Sequence, residues 1–384
     1  MKQLCSALLV VALAMAGTAS AVALESQVVR SEYQALQVER VAAGFEHPWA
    51  IALLPDGGAL VTERPGRLKR LDASGQAREV SGLPAIEAIR QGGLLDVILH
   101  PDYESNALIY LSYVAATDRD DNGQPLTSTT LARARLHDHT LVDFEVLFQD
   151  SDPARPGVHY GSRLAWLPDG TLLMSIGDRG FNPPRAQDLG DYAGSLLRLN
   201  ADGSVPADNP FVDHAQAKPE IYAYGLRNIQ GLWVDGDTGD IWASDHGPRG
   251  GDELNLIVAG GNYGWPTVSL GRDYRTQEQF GDGVRSKEGM IDPVVDWTPS
   301  IAPSGLTRVS GEHWPRWDGD IIAGGLRSEQ LRRVVLEGGV AVHEEALIVG
   351  LIGRIRDVRT GPDGSLWVLT DRADGAVYRI SPAG

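Results

Sequence analysis

The segment from Val158 to Arg163 places a histidine directly before an apolar run that is typical of a β-strand. Imidazole titrates close to neutral pH, so His159, at the entry to that strand, is a candidate general base. It is one of nine histidines in the chain, and most histidines in proteins are surface or packing residues. The assignment of a base therefore depends on which residues surround it.

A second polar segment, residues 224–232, carries an arginine and two amides within four positions. Arg227 offers a planar fork of N–H donors, and Asn228 and Gln230 offer amide groups. Together these side chains could bind one anionic ligand that is rich in carbonyl groups. The alternative is structural, because the same side chains could cap and brace neighbouring loops.

A third segment, residues 245–253, combines a Gly-Pro bend with acidic side chains. The bend at Gly247 and Pro248 leaves backbone carbonyls free, and Asp252 and Glu253 add hard oxygen atoms of the kind that Ca²⁺ prefers. The segment is not an EF-hand, because the alternating Asp/Asn positions of that motif are missing. A plain polar turn is the alternative interpretation.

A fourth segment contains Arg354 and Arg356, two positions apart. Residues i and i+2 of a strand point to the same face, so both guanidinium groups are expected to face one site. In a chain whose formal net charge is −17, two arginines on one face mark a local positive site. The sequence has no phosphate-binding glycine-rich loop, no His-Glu-x-x-His motif and no nucleophile elbow.

One pattern that recurs along the chain shows which elements must position these segments. An apolar alternating run, a turn rich in Asp and Gly, and a second apolar run are together typical of a β-hairpin. The turn aspartates are 46, 67, 68, 81 and 45 positions apart: Asp56, Asp102, Asp169, Asp237, Asp318 and Asp363. The short intervals match one propeller blade, and the long ones leave room for inserted loops.

We therefore predict an all-β fold, a six-bladed β-propeller of four-stranded antiparallel blades with the active site at the channel mouth. Loops at one face of a propeller line that mouth, and the four polar segments are candidates for them. A β-sandwich is the alternative. Helical periodicity is scarce, and residues 85–91 are the best candidate for a short helix.

The first residues predict an export signal. Lys2 precedes an apolar run from Leu8 to Ala16, which is followed by small residues and is too short to span a bilayer. We expect residues 1–23 to be removed, although a buried N-terminal helix is the alternative. Residues 24–384 would then form a single catalytic propeller domain, either periplasmic or secreted. The lone Cys5 lies within the signal, so the mature chain has no thiol and tolerates an oxidising compartment.

Composition excludes two classes of partner. The 384 residues include 34 Lys and Arg against 51 Asp and Glu. Nucleic acid and anionic membrane surfaces both require clustered positive charge, so neither is expected to bind. No other long apolar segment occurs, and we expect no membrane span.

In their order along the chain, these segments resemble the soluble quinoprotein sugar dehydrogenases. The resemblance is to the aldose sugar dehydrogenases that depend on pyrroloquinoline quinone (PQQ), within the wider glucose/sorbosone dehydrogenase family, and it covers about residues 35–382. Residues 225–266 are the most specific stretch: Gly-Leu-Arg-Asn-x-Gln-Gly-Leu, His-Gly-Pro-x-x-x-Asp-Glu-x-Asn and Gly-Gly-Asn-Tyr-Gly-Trp-Pro. Further matches are Gln91-Gly-Gly-Leu-Leu, His100-Pro-Asp, Ser175-Ile-Gly-Asp, Ile301-Ala-Pro-Ser-Gly and Arg354-x-Arg-Asp.

The resemblance implies oxidation of an aldose at its anomeric carbon to the lactone. His159 would take the proton of the anomeric hydroxyl while hydride passes to PQQ, and Arg227 would lie near the developing negative charge. It also implies a set of cofactor contacts: Gln91, Arg227, Asn228, Gln230, Tyr274, Arg327, Arg354 and Arg356. The implied Ca²⁺ ligands are the backbone carbonyls of Gly247 and Pro248, with a further Ca²⁺ site at Glu253, Tyr263 and Asp273.

Two departures from the glucose-dehydrogenase branch of that family favour the compact aldose sugar dehydrogenase branch. Arg327 stands where that branch has a lysine, and the longer loops and extra cysteine bridge of that branch are absent. A monomer is therefore expected rather than a dimer, with electrons passing to an external quinone or small redox protein. The competing hypotheses are a calcium-dependent propeller hydrolase, such as a lactonase, and a non-catalytic propeller that binds sugar or protein.

Overall fold

The computed structural model describes residues 26–383, and the predicted export signal lies outside this range. Its strands form six antiparallel sheets. The first half of the chain contains β1 Ser26–Arg30, β2 Ala35–Phe45, β3 Pro48–Leu53, β4 Ala59–Glu63, β5 Arg67–Leu71, β6 Ala77–Val80, β7 Leu94–Leu99, β8 Leu108–Arg119, β9 Pro125–His137, β10 Thr140–Gln149, β11 Leu164–Trp166, β12 Leu172–Ile176 and β13 Ser195–Leu199. The second half contains β14 Ile221–Ala223, β15 Ile229–Val234, β16 Ile241–Asp245, β17 Asp252–Ile257, β18 Val295–Trp297, β19 Pro303–Arg308, β20 Ile321–Gly325, β21 Gln330–Glu337, β22 Val340–Leu347, β23 Ile355–Thr360, β24 Leu366–Thr370 and β25 Gly375–Pro382.

The six sheets are the blades of a propeller, as predicted. Blades 1 to 5 begin with β3, β7, β11, β15 and β19 and have four strands each, and blade 6 begins with β23. The first strand of every blade contacts the first strands of both neighbouring blades, and β23 contacts β3, so these six inner strands form a closed circle. Six clusters of buried apolar side chains fill the gaps between neighbouring blades.

Blade 6 joins the two ends of the described chain. Strand β2 pairs with β25, with Leu36 opposite Pro382 and Val38 opposite Ile380. Strand β1 then pairs with β2 and adds a fifth, outer strand to this blade. The ring is therefore closed by the backbone hydrogen bonds of one sheet.

All six predicted Asp turns connect the first strand of a blade to its second strand. In three of them, the aspartate accepts the backbone N–H two residues further on, as in Asp56 with Gly58 at 2.9 Å and Asp169 with Thr171 at 2.9 Å. This local bond is the reason why Asp is favoured at such turns. Three of the four polar segments, by contrast, include residues that precede the inner strands β11, β15 and β23, and the segment 245–253 connects β16 to β17. All four meet at the opposite end of the ring.

The prediction of a helix at residues 85–91 is wrong, because this segment is irregular in the structure. The N–H of Glu87 donates to the carbonyl of Val114 on β8, at 2.8 Å, and so is bonded to a neighbouring strand. Within residues 26–383 the helical elements are α1 Tyr103–Asn106 and two short 3₁₀ turns, Pro183–Gln187 and Phe280–Gly283. None of the helices in this range has the length and apolar character needed to cross a bilayer.

Candidate active site

The residues at the entry to the inner strands surround a cavity of about 1110 Å³, to which all six blades contribute. Most of the predicted site residues line it: Gln91, His159, Arg227, Asn228, Gln230, Pro248, Asp273, Tyr274, Arg354 and Arg356. The topology explains this convergence. Each inner strand begins at the same end of the ring, and the antiparallel second strand of each blade ends there. The segments before the first strands and after the second strands are therefore brought together at this end.

His159 is held in one orientation by its neighbours. Its Nδ1 lies 2.6 Å from Oδ1 of Asp178, and its backbone N–H donates to the amide oxygen of Gln91 at 2.9 Å. Asp178 also accepts the indole N–H of Trp265 and the backbone N–H of Gly180, both at 2.8 Å. An ionised carboxylate only accepts hydrogen bonds, so Nδ1 carries the proton and Nε2 keeps a lone pair. His159 is therefore arranged to accept a proton at Nε2.

Electrostatics keep the imidazole of His159 neutral. Burial lowers the pKa of His159, as does the positive charge of Arg227, and both effects outweigh the hydrogen bond to Asp178. Burial opposes ionisation of Asp178, but its hydrogen bond from His159 and the charge of Arg227 lower its pKa on balance. The pair is therefore a neutral imidazole on an ionised carboxylate, which is the form a general base requires.

His246 lines the same cavity but is less suited to be the base. Burial, followed by the charge of Arg227, lowers the pKa of His246 to about 3. Its Nε2 is already hydrogen bonded to the backbone carbonyl of Pro303. A side chain that resists protonation this strongly is a poor proton acceptor at neutral pH.

Arg227 is fixed by contacts from the segment that follows β16. Its Nη1 donates to the carbonyls of His246 at 2.7 Å and Gly247 at 2.8 Å, and its backbone N–H donates to Asp245 at 2.8 Å. Its guanidinium lies 5.3 Å from the centre of the Trp265 ring. The Nε atom is buried and has no hydrogen-bond partner. A buried donor without a partner is costly, so the protein leaves this guanidinium only partly satisfied.

The two amides that follow Arg227 are already engaged with the protein. The amide oxygen of Asn228 accepts the backbone N–H of Gly161 at 3.0 Å, and the amide nitrogen of Gln230 donates to the Gly161 carbonyl at 3.1 Å. Both amides therefore brace the loop after His159, as the structural interpretation of these residues predicts. Both also line the cavity.

Arg354 and Arg356 face the cavity together, as their spacing predicts, and they share Asp371. Nη2 of Arg356 donates to Asp371 at 2.9 Å, and Nη2 of Arg354 lies 3.5 Å from the same oxygen. Burial opposes ionisation of Asp371, but the charge of Arg356 and a hydrogen bond from His47 hold its pKa well below its usual range. Nη1 of Arg356 donates to Gln230 at 3.1 Å, and its buried Nε has no partner.

The Gly-Pro bend presents backbone oxygens next to buried acids. The carbonyl of Gly247 accepts a hydrogen bond from Arg227, and that of Pro248 accepts one from the Tyr274 hydroxyl at 2.9 Å. Each carbonyl oxygen has two lone pairs, so each keeps one for a cation. Burial raises the pKa of Asp252 to about 6. Burial, followed by the charge of Asp245, raises the pKa of Glu253 to about 8.

Two further oxygens in this region have no hydrogen-bond partner, although both are buried: Oδ1 of Asn255 and Oδ2 of Asp296. The amide nitrogen of Asn255 donates to Glu253 at 3.0 Å, and Asp296 lies opposite Glu253 in the sheet. Crowded acids and unpaired oxygens are satisfied by a divalent cation, so these hard oxygen atoms fit Ca²⁺. Among residues 26–383, no three His, Cys, Asp or Glu side chains converge in a ready-made metal site.

Tyr263, Asp273 and Arg327 are three further predicted residues whose surroundings the structure describes. The Tyr263 hydroxyl donates to the Leu256 carbonyl at 2.8 Å, and burial raises the pKa of Tyr263 to about 12. Asp273 is half-buried, lines the cavity and accepts N–H groups of its own turn. Arg327 is exposed and does not line the cavity.

Sequence reasoning missed the partners that orient the predicted residues. Asp178 falls within a motif that carried the resemblance, Ser175-Ile-Gly-Asp, yet no role was assigned to it. No local sequence pattern indicates a role for Asp371, because its partner His47 is 324 positions away in the chain. Trp265 likewise reaches Asp178 across 87 positions.

Comparison with known proteins gives consistent matches over nearly the whole chain. Residues 45–379 match the family described as Glucose / Sorbosone dehydrogenase. Aldose sugar dehydrogenase YliI of Escherichia coli is 37% identical, over 90% of this chain and 93% of that protein. The apo-form structure of the soluble aldose sugar dehydrogenase from Escherichia coli has a TM-score of 0.85, with 35% identity over 91% of this chain and 100% of that one. The PQQ-bound form of the aldose sugar dehydrogenase from Streptomyces coelicolor has a TM-score of 0.73, with 29% identity over 93% and 98%.

Proposed function

The chain belongs to the glucose/sorbosone dehydrogenase family, and we propose that it is a PQQ-dependent aldose sugar dehydrogenase that oxidises the anomeric carbon of its substrate to the lactone. The observation that carries this proposal is the His159–Asp178 pair, which opens into the same cavity as Arg227, Arg354 and Arg356. When bound, PQQ supplies a quinone that accepts two electrons as hydride. A proton acceptor and an anion-binding wall in one cavity are what this reaction requires of the protein.

His159 takes the proton of the anomeric hydroxyl at Nε2. The carboxylate of Asp178 keeps the ring in the required tautomer and stabilises the imidazolium that forms. Trp265 and Gly180 donate to that carboxylate and hold it in place. Such a positioned base typically contributes about 10²–10⁴-fold to the rate.

Arg227 is the electrostatic partner of this step. Its guanidinium is fixed by the carbonyls of His246 and Gly247, so it needs no reorganisation as negative charge develops in the cavity. Arg227 and Arg356 line the cavity, and each keeps a buried Nε that has no partner within the protein. With Arg354, they would bind the carboxylates and quinone oxygens of PQQ, and Gln91, Asn228, Gln230 and Tyr274 would complete the cofactor contacts.

We assign Ca²⁺ to the backbone carbonyls of Gly247 and Pro248, supported by the free lone pairs of these oxygens and the acids behind them. A divalent cation there would act as a Lewis acid beside Arg227. The further Ca²⁺ site at Glu253, Tyr263 and Asp273, and the cofactor contact of Arg327, remain predictions. Electrons would pass to an external acceptor, and the enzyme would act as an exported monomer.

Calcium removal should lower both activity and stability. Treating the holoenzyme with a chelator should abolish sugar oxidation and lower the melting temperature, since a ligand that binds only the folded state stabilises it by mass action. Adding Ca²⁺ with PQQ should restore both, and Mg²⁺ at the same concentration is the control. Full activity in protein that elemental analysis shows to be metal-free would contradict the calcium assignment.

Reconstitution tests the function as a whole. Purified apo-protein is incubated with PQQ and Ca²⁺, and the reduction of a redox dye is followed with glucose and other aldoses as substrates. Hydrolysis of a lactone is measured in a second assay. We expect dye reduction that requires PQQ and no hydrolysis of the lactone. Hydrolysis without PQQ would support the propeller hydrolase instead, and binding of sugar with neither reaction would support the non-catalytic propeller.

A further inference from the structure

Arg163 is the one residue of the His159 segment with a buried charge that the proposed reaction does not use. Its side chain is 1% exposed and lies on the axis of the ring, just before β11. Its guanidinium contacts the inner strands of four other blades: Trp49 on β3, Asp96 on β7, Gln230 on β15, and Arg356 with Asp357 on β23. A single side chain therefore connects five of the six blades.

The contacts of Arg163 fall into two groups. On one side, Nη1 lies 2.9 Å from Asp357 and 3.7 Å from Asp96. These two acids also bind Arg359, at 3.1 and 2.9 Å, so two arginines and two aspartates form a buried ion cluster. Opposite charges that are buried together offset part of the cost of leaving water.

On the other side, Arg163 holds the backbone beneath the cavity. Its Nε donates to the carbonyl of Gln230 at 2.6 Å, and its Nη2 donates to the carbonyl of Arg356 at 3.1 Å. The side chains of these two residues line the cavity and bond each other at 3.1 Å. Arg163 also lies 4.1 Å from the ring of Trp49, a third lining residue. All three residues contact Arg163 and also line the cavity.

We propose that Arg163 is a positioning residue for the cofactor: it fixes the backbone of Gln230 and Arg356 so that their side chains are ready to bind an anionic quinone. This role rests on the proposed function. The fork of a guanidinium is needed, because two carbonyls from different blades are bound by different nitrogens of the same group. Lysine would keep the charge next to the acids but would lose the geometry.

Arg359 provides a matched control, because its hydrogen bonds in the described chain go to the same two acids and not to Gln230 or Arg356. PQQ is titrated into the apo forms of R163K and R359K by calorimetry in the presence of Ca²⁺, and the melting temperature of each protein is measured. We expect a lower melting temperature in both variants. R163K should bind PQQ about 10–100-fold more weakly, because the side chains of Gln230 and Arg356 would be displaced from their binding positions. R359K should bind PQQ like the wild type.

A double substitution separates positioning from general weakening. Because Arg163 acts through Arg356, the loss of affinity caused by R163K should be smaller when R356A is already present, whereas unrelated effects would add. Unchanged PQQ affinity in R163K, equal losses in R163K and R359K, or full additivity would each overturn the proposal. So would a failure of R163K to fold while R359K folds, since Arg163 would then serve the fold. Absence of PQQ binding by the wild type would instead contradict the proposed function.

Discussion

Aspartates at the two ends of the propeller are used in different ways. At the end with the repeated turns, Asp56, Asp169 and Asp363 accept backbone N–H groups two residues further along the chain. At the cavity end, Asp178 bonds Trp265 across 87 positions, and Asp371 bonds His47 across 324. The contacts of the first set stay within single blades, and the second set joins different blades.

This difference separates the residues that support the fold from those that support the site. These three turn aspartates contact residues of their own blades, including Arg70 with Asp56 and Arg198 with Asp169, so we expect their loss to leave the cavity intact. A cavity aspartate connects a site residue to a neighbouring blade: Asp178 orients His159 of its own blade and accepts a hydrogen bond from Trp265 of the next blade. Substitutions at the cavity end should therefore change chemistry and cofactor affinity, and those at the turn end should change stability alone.

The largest effect is expected at His159. H159A should lower kcat by about 10²–10⁴-fold, because the proton acceptor is lost, and should still bind PQQ. Stopped-flow reduction of bound PQQ by sugar measures this step directly. The control is H343A, on the outer strand β22, where the imidazole bonds Glu32 and should have no effect on the rate. Rapid reduction in H159A would move the base elsewhere.

The next effect is expected at Asp178. D178N should lower kcat by about 10²-fold, because the imidazole of His159 is no longer held in its reactive tautomer. This loss is at the lower end of what a general acid or base contributes to the rate. In the wild type, burial and Arg227 lower the pKa of His159, so activity should stay level across neutral pH and fall only below the usual imidazole range.

The pH dependence of kcat in D178N distinguishes a partner of the base from a residue that only supports the structure. Loss of a merely structural residue would leave the pH profile unchanged. The carboxylate of Asp178 raises the pKa of His159, opposing the effect of burial, so its removal should shift the acid limb of kcat to lower pH. An acid limb at the wild-type position, or at higher pH, would contradict the assignment of Asp178 as the partner of the base.

Much of the turn end could be predicted from the sequence, and the cavity end only in part. The Asp turns and their strands depend on bonds within a few residues, so a local pattern identifies them. Segments near His159 and Arg227 were identified because their side chains lie close together in the chain. Asp371 and Arg163 depend on contacts that exist only once the ring closes, which no local pattern shows. The irregular path of residues 85–91 has the same cause, since it follows from a bond to Val114.

A smaller effect, on cofactor affinity, is expected from the arginine pair. R356A should weaken PQQ binding by about 10–150-fold, the loss expected for a charge-assisted contact. R354A should have less effect, because its side chain is 44% exposed compared with 12% for Arg356, and exposed ion contacts are screened by water. Lysine at either position should recover only part of the affinity. Unchanged titrations in both alanine variants would mean that the pair only braces blade 6.

The smallest effect is expected at the turn end. Asp363 accepts hydrogen bonds from the backbone N–H and the hydroxyl of Ser365, at 3.1 and 2.6 Å. D363A should lower the free energy of unfolding by about 0.5–1.5 kcal/mol, the net value of a hydrogen bond, with kcat and PQQ affinity unchanged.

Burial opposes ionisation of Asp363, but the bonds from Ser365 lower its pKa on balance. Its stabilisation is therefore present above the pKa of the unfolded chain and is lost as pH falls through the folded pKa. Urea unfolding at neutral and acidic pH should show the wild type and D363A converging in acid, and a change in kcat would contradict the separation of the two ends.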